Sequence, residues 1–251
     1  MEKQMETEYR TDLVFGRNNV SELLSSETPV DKVYLAGDPK NGNFKKIVAL
    51  CKSKGVPIVH TDSAAINKKA PNVNHQGVLA YCAQKEYASV EDILAVAEER
   101  GEAPFIIIAD EIADPHNLGA ILRSADAFGA HGVIISKRRA AGLTPSVAKA
   151  SGGAMHYIPV ARVANLAQTI EMLKEKNIWV YGCDMAGEHL YYEQDYSGGV
   201  ALIVGSEESG ISRILREKCD FFVRIPMKGK ISCLNASVAA SVIMQEISKK
   251  R

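Results

Sequence analysis

Three stretches of the chain carry the side chains that could do chemistry. In "LIVGSEESGIS" (Leu202–Ser212) an apolar run ends in Gly205-x-x-x-x-Gly210, the outline of a phosphate loop. A true phosphate loop places Lys directly after the second glycine, where its charge meets the β- and γ-phosphates. Ile211 stands there instead, and the loop carries Glu207 and Glu208. Two carboxylates beside a polyphosphate would cost Coulomb energy, so the loop outline alone does not say what it holds. A second stretch is "DEIADPHNLGAILRSADAFGA" (Asp110–Ala130). Asn117 is placed to cap a helix from Leu118, and Leu118, Ile121, Leu122, Ala125 and Phe128 make its apolar stripe. Arg123 falls nearly opposite that stripe, on the solvent side. The third is "IPMKGKISCLNASVAASVIMQEI" (Ile225–Ile247): a glycine turn, then Ser232, Cys233, Asn235 and Ser237, then small residues. Ala236, Ala239, Ala240 and Ser241 suit close helix packing, within the fold or across a dimer interface.

These stretches must be held by elements, and the pattern supplies them. "FIIIAD" (105–110) is continuously apolar, as a strand covered on both faces should be. "GVIIS", "IWVYGCD", "VALIVGS" and "FFVRIPM" read as further strands. Helical patterns follow Leu118, span Pro145–Ala150 and Val163–Lys176, and close the chain over Leu234–Lys249. Ser89 with Asp92 forms a capping box that opens a helix through Arg100. Alternating strands and helices predict an α/β fold with a mostly parallel sheet, whose ligands bind outside the carboxyl ends of the strands. All three polar stretches sit at such ends.

Upstream, "DKVYLAG", "GVPIVHT" and "QGVLAYC" read as strands. Between the first two lies a helix with Phe44, Ile47, Val48 and Cys51 on one stripe and Lys45, Lys46, Lys52 and Lys54 away from it. The organisation expected is a tail over 1–8, a small α/β domain over 9–84, a linker and helix over 85–104, and a larger α/β domain over 105–251. Net charge is zero, so nothing global demands a polyanionic partner, although a local basic face remains available. The five scattered cysteines form no C-x-x-C pair, which argues against zinc and disulfide frameworks, predicts no metal, and suits a reducing cytoplasm. The polar start reads as no signal peptide, and no apolar stretch is long enough for a membrane span. No strand leads into G-x-G-x-x-G, and neither H-E-x-x-H nor G-x-S-x-G is present.

The three stretches together resemble the SpoU/TrmH family of the SPOUT methyltransferases, which methylate RNA ribose 2′-hydroxyls with S-adenosylmethionine. "DPHNLGAILRSADAFG" is similar to the family's first motif, "IVGSEESGIS" to its second and "IPMKGKISCLNASVAAS" to its third. Two positions depart from it: Glu208 stands where Gly is common, and Cys233 where Ser is common. "VFGRNNVSELL" and "NHQGVLAYC" resemble the ends of a ribosomal-protein-like domain that precedes some members' catalytic domain. That arrangement is most similar to the branch acting on guanosine in bacterial 23S rRNA; a tRNA target and a non-catalytic RNA-binding role are the alternatives.

The resemblance implies a parallel sheet with a deep trefoil knot, an exception to the unknotted rule. It implies Asn117, Arg123, Glu207 and Asn235 as catalytic residues, and S-adenosylmethionine held by Gly205, Ile225 and Leu234. Gly205 would let backbone approach the ligand, and Glu207 with Asn117 would hold Arg123. RNA contacts are expected from Arg17, Lys45, Lys46, His75 and Gln76 in the small domain, and from Lys137, Arg138 and Arg139 near the site. A homodimer packed through the last helix, with Ala240 in the interface, completes the expectation.

Overall fold

The computed structural model describes residues 13–26, 28, 30–39, 42–82, 85–231 and 233–251; the expected tail over 1–8 and the Ser232 hydroxyl lie outside them. The chain forms two compact units, one of residues up to Lys85 with Leu143–His156, the other of Glu86–Gly142 with Tyr157–Arg251.

The small unit begins with β1 (Leu13–Phe15), α1 (Arg17–Ser25), β2 (Val30–Ala36), α2 (Gly42–Lys54), β3 (Ile58–Thr61), α3 (Ser63–Lys69) and β4 (Val78–Cys82). The sheet order is β1-β4-β2-β3, with only β2 and β3 parallel. On α2, Phe44, Ile47 and Cys51 are buried and the four lysines are exposed, as the stripe requires. The sequence reading does not mark α1 and α3. The first has no side-chain cap, and the second is seven residues whose start signal is Asp62, accepting from Ala65 N at 2.7 Å. Gly77, at φ 80°, has no room for a side chain: a Cβ there would lie 2.7 Å from the Ala36 carbonyl oxygen.

The large unit runs α4 (Val90–Arg100), β5 (Phe105–Ala109), α5 (Pro115–Ala127) and β6 (Gly132–Ser136); α6 (Pro145–Ala150) intervenes in the chain. It continues with β7 (Val160–Val163), α7 (Leu166–Glu175), β8 (Ile178–Cys183), β9 (His189–Leu190), β10 (Gly199–Val204), α8 (Arg213–Arg216), β11 (Phe221–Arg224) and α9 (Ala236–Lys249). All seven strands are parallel, in the order β7-β6-β5-β10-β8-β11-β9. Ile106, Ile108, Ile134, Val180 and Ile203 are fully buried, and Ile93, Ile170, Leu173 and Leu215 from the helices pack on the same core. The Ser89–Asp92 capping box is formed, with Gly101 closing α4 in the left-handed region.

Three boundaries differ from the sequence reading. The helix after β5 starts at Pro115, capped by Asp114, so Asn117 is inside its first turn. Proline at the first helical position is pre-organised, its missing N–H being one the helix cannot use. Residues 160–163 form β7, where a helix was expected to begin. Residues 143–156, assigned from sequence to the large domain, pack with the small unit. There Lys149 Nζ lies 5.9 Å from the Phe15 ring centroid, and Lys85 Nζ donates to the His156 carbonyl at 3.2 Å. Local signals locate α6 through the Thr144 cap and Pro145, but they carry no information about its packing partner. No helix among the described residues is long and apolar enough to cross a membrane.

Candidate active site at the carboxyl edge of the large sheet

β5 and β10 are neighbours at the centre of the sheet, yet the chain leaves them in opposite directions. From β5 it passes to β6 on one side; from β10 it passes through α8 to β11, beyond β8 on the other. This is a topological switch point, where α/β sheets open a crevice. Backbone and side chain pin its two lips. Asp110 N donates to the Val204 carbonyl at 2.9 Å, and the buried Asp110 carboxylate accepts from Ser212 N at 2.7 Å. The loop between those contacts turns back on itself: a Cβ on Gly205 would lie 2.1 Å from the Gly210 carbonyl carbon and 2.3 Å from Ile211 N. The close approach that demands glycine is therefore to the loop's own backbone.

Three motif residues meet at this edge. Asn117 Nδ2 donates to Glu207 Oε1 at 3.3 Å, Asn235 Nδ2 donates to Asn117 Oδ1 at 2.9 Å, and Asn235 Nδ2 also donates to Glu207 Oε1. Asn235 is the N-cap of α9, its Oδ1 accepting from Ser237 N at 3.0 Å, Ser237 Oγ at 2.6 Å and Val238 N at 3.3 Å. One amide therefore fixes a helix start with its oxygen and the site with its nitrogen. Because Asp114 caps α5, the Asn117 side chain is free to reach across to Glu207. Arg123 is exposed and, among the described residues, has no hydrogen-bond or ion-pair partner. The expected hold of Glu207 and Asn117 on Arg123 is not formed; both are engaged with each other and with Asn235.

Two cavities flank Glu207. The first encloses about 190 Å³ and is lined by Gly205, Ile225 and Leu234 together with Val204, Met227 and Cys233. All three residues expected to hold a cofactor thus share one cavity. No Lys or Arg lines it, its charged members being Asp184 and Glu207. Burial pushes the Cys183 thiol in its wall up to about 11, so that sulfur stays protonated. The second encloses about 510 Å³ and is polar, lined by Glu111, Asp114, Asn117, Arg139, Glu207 and Glu208 among others. The two departures from the family's pattern therefore part company: Cys233 lies on the first cavity and Glu208 on the second.

The residues expected to contact RNA differ in exposure and in what they already hold. Lys45 and Lys46 are exposed on α2, and Lys137 and Arg138 are exposed after β6. Arg139 pairs with Glu111 at 3.0 Å. Arg17 is half-buried, and its backbone N–H donates to Gln76 Oε1 at 3.2 Å, an exposed side chain serving the uncapped start of α1. His75 corrects the expectation more sharply. Its ring is buried, with Nδ1 accepting from Gly77 N at 3.0 Å and Nε2 3.1 Å from Asn67 Oδ1. One ring nitrogen holds the 74–77 turn and the other ties it to Asn67 on α3, so this side chain has a structural role.

The sequence reading misses a cationic and aromatic group on the sheet of the same unit. Tyr34 and Tyr81 lie with ring centroids 5.7 Å apart, Lys69 Nζ is 4.8 Å from the Tyr34 centroid, and Lys32 Nζ is 5.3 Å from the Tyr81 centroid. The signal was present in the period of two that puts Lys32 and Tyr34 on one face of β2.

Against known proteins, residues 104–245 match the SpoU rRNA Methylase family, and residues 13–88 match the RNA 2′-O ribose methyltransferase substrate-binding family. The chain belongs to the SpoU methylase family. Among individual relatives, a putative TrmH family tRNA/rRNA methyltransferase of Bacillus subtilis is 46% identical over 240 residues, covering 96% of each chain. Another of that description, from Staphylococcus saprophyticus, is 41% identical over 239 residues, covering 95% of this chain and 96% of its own. The solved structure of the SpoU methyltransferase AviRb from Streptomyces viridochromogenes, in complex with AdoMet, superposes with a TM-score of 0.79 at 24% identity, covering 95% of this chain and 89% of that one.

Proposed function

We propose that the protein is an S-adenosylmethionine-dependent RNA ribose 2′-O-methyltransferase whose target is a guanosine in 23S rRNA. The observation that carries this reading is the convergence of the three motifs on one sheet edge. Gly205, Ile225 and Leu234 line one cavity there, and Asn117, Glu207 and Asn235 are hydrogen-bonded at its rim. The donor set suits this cofactor: aliphatic walls for an adenine, carboxylates near a sulfonium cation, and no Lys or Arg in the lining as a polyphosphate would need. When bound, S-adenosylmethionine supplies the methyl group.

The chain's own residues do the rest. Ile225 and Leu234 would hold the adenine of the cofactor and keep water from it. Glu207, Asn117 and Asn235 lock the loop after β10 to the start of α9 and to α5, so the site is rigid before RNA arrives. Arg123, free of partners among the described residues, orients the target phosphate and stabilises the alkoxide that forms as the 2′-hydroxyl gives its proton to solvent water. The contribution of the guanidinium is electrostatic.

RNA is held by the exposed Lys45, Lys46 and Lys69 of the small unit, with the half-buried Lys32, Tyr34 and Tyr81 beside Lys69. We place a homodimer interface on α9, but through Val238, which is 47% exposed; Ala240 is fully buried in its own subunit and cannot serve. Replacing Val238 with Arg should turn a dimer into a folded monomer in light scattering; an unsubstituted protein that is already monomeric and active contradicts the interface. The function itself is tested by mapping ribose methylation in cells lacking the gene. One 23S guanosine should lose its 2′-O-methyl group; loss at a tRNA position would move the target, and no loss anywhere would overturn the assignment.

A further inference from the structure

The second cavity at the switch point shares only Ser206 and Glu207 with the first, and its chemistry differs. We infer that it receives the base of the target nucleotide, and that Glu111 and Arg139 read that base as guanine. This assignment rests on the RNA methyltransferase reading for the identity of the occupant, and on the following geometry for its specificity.

Glu111 follows β5 and Arg139 follows β6, so the two come from adjacent strand ends. The backbones of their loops are joined where Ala141 N donates to the Ile112 carbonyl at 2.8 Å. Both residues hold left-handed backbone conformations, with φ of 53° at Glu111 and 56° at Arg139. Few residues other than glycine adopt that region, and it recurs where surrounding structure holds a side chain for use. The two side chains face each other, Arg139 Nη1 lying 3.0 Å from Glu111 Oε1, and both line the cavity that also exposes Asn117 and Glu207. A base lodged there places its ribose at the rim shared with the first cavity.

The wall excludes some occupants. Glu111, Asp114, Glu207 and Glu208 make it rich in acceptors, so a phosphate is repelled and a group presenting N–H donors is favoured. Among the four bases, only guanine offers two adjacent donors, N1–H and the N2 amino group, which one carboxylate accepts together. It offers O6 beside them, which a guanidinium donates to. Adenine and cytosine would turn a ring-nitrogen lone pair toward the carboxylate, and uracil would turn a carbonyl oxygen toward it. The ion pair already formed between Glu111 and Arg139 does not block this. Arg139 is 79% exposed, and such pairs contribute little, so a base opens the pair at small cost and inherits both partners. Bases that are splayed out and read on their Watson–Crick edge are the usual targets of RNA-modifying and RNA-binding sites.

The test is equilibrium binding of GMP, IMP, AMP and UMP to the full-length protein with S-adenosylmethionine present, followed by NMR titration. GMP should bind tightest. IMP, which lacks only the N2 amino group, should bind about tenfold weaker. Glu111→Gln should erase the difference between GMP and IMP, and Arg139→Lys should weaken both equally while leaving their ratio unchanged. Equal affinity for all four nucleotides, or a GMP preference that survives Glu111→Gln, overturns the inference. Because no methyl transfer is measured, a protein that methylates ribose without preferring GMP sinks only this inference. One that prefers GMP but methylates nothing sinks the methyltransferase reading and leaves the pocket standing.

Discussion

Two clusters of hydrogen-bonded polar residues, one in each unit, look alike on paper and differ in what they face. In the large unit Asn117, Glu207 and Asn235 bond to one another, Glu207 lining a cavity on each side and Asn117 lining the second. In the small unit His75 bonds to Asn67 and Gly77 N with its ring buried and no cavity beside it among those described. Both clusters organise a loop. Only the first leaves a formed, polar-rimmed space for a ligand, so open space beside the bonded groups separates a site from a strut.

That contrast is broken most severely at Gly205. Gly205→Ala forces a methyl group into the backbone at Gly210, where no side chain can move aside, and the loop must open. S-adenosylmethionine binding should be abolished in calorimetry and the thermal midpoint should fall, with the small unit's RNA affinity kept. Retained cofactor affinity would show that the loop's shape is not the cofactor site. Asn235→Asp is the gentler cut. The remaining oxygen still caps α9, but the donor to Asn117 and Glu207 is replaced by a carboxylate facing a carboxylate. Stability should change little, and kcat should drop by about 100-fold with KM for RNA nearly constant, the size of losing one preorganised polar group. A loss confined to KM would make Asn235 a binding residue.

The small unit sharpens the contrast through pH. Burial holds the His156 imidazole down to about 4, from 6.5, and the nearby Lys85 charge adds to the effect. The neutral ring is the folded form, so its contribution is complete above pH 6.5 and is lost as pH falls from there through about 4. The loss is at most ~3 kcal/mol. Thermal midpoints measured from pH 7 to 4 should decline, and His156→Phe should flatten that decline; an unchanged slope would mean the ring is not held neutral. The smallest effect is at the surface. Lys69→Gln should weaken RNA binding only a few-fold and lower its salt dependence by about one counterion, because one lysine makes one phosphate contact. An unaltered salt slope would remove the Tyr34–Tyr81 group from the RNA path.

Much of this molecule was legible in its residues, for reasons that differ by element. Continuous apolar runs such as Phe105–Ala109 and Gly199–Val204 identify buried parallel strands because burial on both faces erases polar alternation. The capping box at Ser89 was equally readable, since its chemistry lies within four residues. Local chemistry misled at Asn117, where Asp114 and Pro115 formed a better helix start and left the asparagine for the site. Long-range contacts were illegible. Nothing in Leu143–His156 announces that it belongs with the small unit, and nothing near Ala240 says that its helix turns that residue inward. The Glu111–Arg139 pair was hidden for the same reason, since its members are joined by adjacent strand ends and not by a spacing.

The central claim is that this sheet edge transfers a methyl group to a ribose oxygen. Its most direct test incubates the purified protein with methyl-labelled S-adenosylmethionine and unmodified 23S rRNA, then digests the RNA to nucleosides for mass spectrometry. The account predicts one labelled 2′-O-methylated nucleoside, a guanosine, and none from protein carrying Asn235→Asp under the same brief exposure. Label on a base, or no transfer by a protein that binds the cofactor, would contradict it.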